Sequence, residues 1–116
     1  MKIRISSVDH APGGLYGQTP FEAELLREMP GRDRPDYWLA APDRPLRWVR
    51  DDAETRVAHI VVVARLAGTR VGRGMGGIPV GIAYVVDESL LADAELDFRK
   101  CVYVAVGFAE ELPGGG

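Results

Sequence analysis

A single cysteine, Cys101, leaves no route to an internal disulfide, and its setting in the apolar run Cys101 to Ala109 fits a reducing compartment. The chain holds only two histidines, His10 and His59. Neither stands in an H-x-x-x-H or C-x-x-C spacing, so no metal and no cofactor is expected. The longest apolar run, Ile60 to Ala64, is far too short to span a bilayer as a helix. Met1 to Ile5 alternates charge with aliphatic residues, unlike the continuous apolar core of a signal peptide. These absences point to a cytoplasmic protein with no membrane partner. A basic excess is missing too: 14 Lys and Arg against 17 Asp and Glu give a net charge of -3, so nucleic acid is not an expected partner.

What is present is enough apolar content, 47% of 116 residues, for one domain with its own core. Residues 1–112 are expected to form that single globular domain, and Pro113 to Gly116 a flexible C-terminal tail.

Along the chain, Lys2 to Val8 alternates as an opening strand, and Pro12, Gly13, Gly14 and Gly17 supply a loop. Thr19-Pro20-Phe21-Glu22 then reads as a capping box. With Phe21, Leu25, Leu26 and Met29 on one face and Pro30-Gly31 as a stop, it predicts a well-capped α-helix near residues 20–29. Gly31 to Pro35 is a polar linker. Pro42 to Pro45 is turn chemistry between Tyr37-Trp38-Leu39 and Leu46 to Val49, a hairpin or tight corner. Longer strands follow from Arg56, broken by Gly68 to Gly77 and by an acidic connection, Asp87 to Glu95, with a short helix expected near residues 88–94. The fold class predicted from this order is α+β, a curled and mainly antiparallel sheet, with a partial barrel as one form of it, carrying the capped helix.

Side chains alternate across a strand, so parity sorts each long strand into two faces. Ile60 and Val62, then Ile78, Val80, Ile82, Tyr84 and Val86, then Val102, Val104, Val106 and Phe108 form one largely aliphatic face, the expected core. The opposite face carries His59, Arg65, Gly81, Ala83, Arg99, Tyr103, Ala105 and Gly107. Its small residues are candidate interface positions: Gly81, Ala83, Ala105 and Gly107. Three arrangements fit such a face. The 20–29 helix or the Tyr37 to Val49 region packs there, a second subunit does, or it floors a pocket for a small anionic ligand. The pocket version takes His59, Arg65, Arg99 and Tyr103 as polar walls, with Arg70 and Arg73 closing from the glycine-rich loop. A bulge would reassign every position beyond it.

Local motifs add little. Gly72 to Gly77 satisfies G-x-G-x-x-G, yet Ile78-Pro79-Val80 continues as a strand where a phosphate-binding helix would start. A connecting loop is the simpler reading, with a backbone nest for an anion as the alternative. Cys101 beside His59 would suggest a thiol nucleophile, but a cysteine in an apolar strand is more often inert. Trp38 and Trp48 suit core anchors. The function expected from these residues is association, as a homo-oligomer or a module for another protein, without evident catalysis.

Overall fold

A computed structural model describes residues 1–29, 36–92 and 96–112. The expected linker at 31–35, residues 93–95 of the acidic connection and the expected tail at 113–116 lie outside the described residues. Eight strands are present: β1 (Lys2–Asp9), β2 (Phe21–Met29), β3 (Tyr37–Pro42), β4 (Leu46–Arg50), β5 (Ala53–Val57), β6 (Ile60–Ala64), β7 (Ile78–Val85) and β8 (Cys101–Glu111). Six of them close into an antiparallel barrel in the order β1, β2, β3, β6, β7, β8, because β8 pairs back to β1, while β4 and β5 form a separate hairpin.

The α+β expectation is therefore overturned. The segment expected to be the capped helix is β2, paired with β1 on one side and β3 on the other. Thr19 Oγ1 does not cap an onward turn; it donates back to the Tyr16 carbonyl at 2.8 Å. Phe21, Ala23 and Leu25 alternate into the core, and a register shift between Leu25 and Arg27 then turns Met29 to the outer face. One bulge thus makes a period-two strand imitate helical spacing. Leu26, which a helix would have buried, is exposed. The short helix expected near 88–94 is a single 3-10 segment, Glu88–Ala92.

A closed barrel this small has its interior filled by side chains, large on some strands and small on others. Here Ile60, Val62, Ile78, Val80 and Ile82 of β6 and β7 supply bulk, and Ala105, Gly107 and Ala109 of β8 make room for it. A methyl group at Gly107 would stand 2.9 Å from Ile82 Cδ1. Two tryptophans anchor the ends, as expected for core indoles. Trp48 of β4 enters the interior cluster and meets Tyr84 edge-on, with centroids 5.1 Å apart. At the opposite end, buried Val71 of the glycine-rich loop is held by a 2.9 Å hydrogen bond from Trp38 Nε1 to its carbonyl.

A second, smaller core lies outside the barrel. Met29, Tyr37, Leu39, Val61, Ala83 and Val85 face outward from β2, β3, β6 and β7, and Leu90, Leu91, Leu96 and Phe98 from the β7–β8 connection pack over them. Arg27 ties that connection down by donating to the Leu91 carbonyl at 3.0 Å.

Candidate functional site

Parity reads β6 and β7 as the structure has them, but Val86, expected in the core just beyond β7, is exposed, and the alternation fails in β8. A register shift opposite Ile82 and Ala83 makes Val104 and Ala105 both buried, and from there the faces exchange. Ala105 and Gly107 therefore point into the barrel, whereas Val106 and Phe108, expected in the core, turn outward. The four small residues do not share one face. Ala83 is covered by the chain's own 87–100 connection, a cover different from either element expected there. Gly81 faces outward, where an added Cβ would meet Val63 Cγ1 at 3.2 Å and Tyr103 Cε2 at 3.3 Å.

The residues expected to wall an anion pocket are scattered by the same geometry. Arg65 and Tyr103 both lie over Gly81, where an added Cβ would stand 3.9 Å from Arg65 Cγ and 3.3 Å from Tyr103 Cε2. His59 lies just before the other end of five-residue β6, with Nδ1 3.0 Å from Glu88 Oε2 but without the alignment of a hydrogen bond. Arg99 is spent on Asp97, whose carboxyl it holds below the usual range by side-chain and backbone hydrogen bonds. Arg70 pairs with Glu28 at 3.1 Å, and Arg73 is exposed. In the glycine-rich loop the Gly74 amide donates to Glu111 Oε2 at 2.6 Å, so a carboxylate of the chain itself occupies the position a bound anion would take.

Cys101 is half-buried, and burial pushes its thiol up from an ordinary 9.0 to about 11. The fold thus favours the neutral thiol. That contribution to stability is complete below the unfolded value and is lost as pH rises from about 9 toward about 11. A shift of two units leaves about 100-fold less thiolate at pH 8, so iodoacetamide should modify the native protein at least about tenfold more slowly than the unfolded chain. Equal rates would remove the burial explanation. Among the described residues, no group of three or more metal-ligating side chains converges.

No known protein family, curated protein or solved structure matches the chain. Function must be read from its surfaces.

The clearest exposed surface is the outer side of β7 and β8, next to the satellite core. Pro79 and Gly81 on β7 lie beside Phe108 and Val106 on β8 in register. Tyr103 is 49% exposed and Phe108 43%. Both rings lie over glycines: a Cβ at Gly77 would fall 2.6 Å from Phe108 Cε1, a closer approach than at Gly81. Tyr103 thus covers Gly81 within β7 and restores packing that a strand glycine lacks, while Phe108 covers Gly77 in the bend before β7. A concave region lies elsewhere. A cavity of about 440 Å³ opens at the hairpin end of the barrel, between the loop at 17–20, Arg4 of β1, Glu22 of β2 and the Asp43-Arg44 corner.

Sequence reasoning missed Gln18, which joins the first loop to the hairpin. Its Oε1 accepts from the Arg47 amide at 2.9 Å, and its Nε2 donates to the Gly14 carbonyl at 2.7 Å and to the Arg47 carbonyl. No motif marks such a residue. Among the described residues, no helix is long and apolar enough to cross a membrane.

Proposed function

We propose that this protein acts by association, with a second copy of its own chain as partner and the outer face of β7 and β8 as the contact. The observation that carries the reading is the pair of half-exposed rings, Tyr103 and Phe108, that cover Gly81 and Gly77. Contiguous exposed apolar surface marks interaction sites more often than scattered single residues do. The closed barrel supports a face contact over strand addition, because its six strands leave no unpaired edge in that sheet. The face carries the Tyr103 phenol and the Arg65 side chain beside its apolar surface, and a two-fold contact would set this patch against its own copy.

Light scattering after gel filtration should give twice the 12.6 kDa chain mass. Phe108→Glu would set two carboxylates against each other across the two-fold axis and should weaken the dimer by at least about tenfold with unchanged circular dichroism. A monomer mass at every concentration would end the self-association reading in favour of a module for a different protein.

A further inference from the structure

The cavity at the hairpin end collects solvent-facing side chains of opposite charge. Arg4 and Glu22 are register partners on adjacent strands, and Arg44 follows β3 at the corner. Opposite charges directly across an antiparallel pair are close enough to join. Among the described residues, however, Arg4, Glu22 and Arg44 make neither an ion pair nor a side-chain hydrogen bond. The remaining acid of the cavity, Asp43, is engaged by Lys2 at 3.1 Å, a contact that also raises the lysine. Backbone donors nearby are engaged as well: the Asp43 amide donates to the Glu22 carbonyl at 2.9 Å, and the Thr19 amide to the Tyr16 carbonyl. The charged side chains left are two guanidiniums and one carboxylate, beside the exposed ring of Pro20.

We infer that this cavity binds a small zwitterion of the amino-acid class. Its carboxylate is taken by Arg44 with Arg4, its ammonium by Glu22, and its apolar side chain rests against Pro20. The charge pattern selects this class over a polyanion. Arg4 is flanked in register by Glu22 on β2 and by Glu110 on β8, so the cavity is close to balanced once Lys2 and Asp43 cancel. A ligand bearing several negative charges would meet those carboxylates, whereas a zwitterion presents one group to each sign. Guanidinium suits the carboxylate end because its planar fork can donate two parallel bonds. The volume, about 440 Å³, lies in the range of small-ligand sites.

Calorimetric titration of the folded protein with each of the common amino acids tests the inference, using L-leucine, isopentylamine and 4-methylpentanoate as the matched whole and halves. An apolar amino acid should bind with a dissociation constant below about 10 mM, and both halves at least about tenfold more weakly. Arg44→Gln should weaken both leucine and 4-methylpentanoate. Glu22→Gln should weaken leucine but not 4-methylpentanoate. Both positions are on the surface, so thermal melts of the variants should match the parent. The inference is overturned if no amino acid binds, if 4-methylpentanoate binds as tightly as leucine, or if Arg44→Gln leaves leucine binding unchanged.

Discussion

Replacing Trp48 with alanine should lower the free energy of unfolding by about 3–5 kcal/mol, read from the midpoint of a urea titration. The indole is 2% exposed and joins the interior cluster with Leu46 and Val57 of the same hairpin. Truncation removes its buried area and its edge-on contact with Tyr84, and leaves a cavity that the barrel wall cannot close. The loss should also be uneven. The β4–β5 hairpin is hydrogen-bonded within itself and not to the six-strand sheet, so its attachment depends on buried side chains, on the Gln18 bridges and on the Val49 amide, which donates to the Gly13 carbonyl at 3.4 Å. Amide exchange should therefore accelerate more over residues 46–57 than over β6 and β7. Val49→Ala, on the exposed side of the same strand, should stay within about 0.5 kcal/mol. A Trp48→Ala loss below about 1 kcal/mol would mean that the hairpin does not seal the barrel.

The parts of this fold visible in the sequence are those where alternation runs unbroken. In β6 and β7, Ile60, Val62, Val80 and Ile82 face the interior as parity requires, and Pro42 to Pro45 marks the corner where the chain leaves the barrel. Legibility ends at bulges. Val104 and Ala105 are both apolar, so nothing in their chemistry signals that both are buried in succession and that Phe108 must then face outward. Between Phe21 and Met29, a strand with one bulge and an amphipathic helix place apolar residues at nearly the same positions. Pairing with β1 and β3, both distant in sequence, decides between them. Site residues suffer more than elements. Arg4, Glu22 and Arg44 come together only because β1 pairs with β2 and the corner folds beside them, and none stands in a motif. His59 and Arg65, which share a face by parity, are separated by Val61 and Val63 beneath the 87–100 connection.

The assignment of β8's small residues to the barrel interior has a test of comparable size. Gly107→Val should cost about 3 kcal/mol, because the added carbons enter a space already filled from across the barrel. The Cβ alone would lie 2.9 Å from Ile82 Cδ1, 3.3 Å from Ile5 Cγ2 and 3.3 Å from the Ser7 carbonyl oxygen. Of these, the Ile82 methyl can yield and the Ser7 backbone cannot, which is why overpacking here is resisted. Gly107→Ala separates the two contributions. Combined with Ile82→Val, which removes the obstructing Cδ1, it should be more stable than the sum of the single changes by about 1 kcal/mol. Additive losses would show that Gly107 and Ile82 do not meet. A neutral Gly107→Val would place Gly107 on the outer face, and the small residues of β8 would again be free to serve an interface. A coupled loss instead separates the roles along one strand: Ala105, Gly107 and Ala109 are small because six strands must close around Ile82 and Ile5, while Tyr103 and Phe108 are left outside, on the face proposed as the contact.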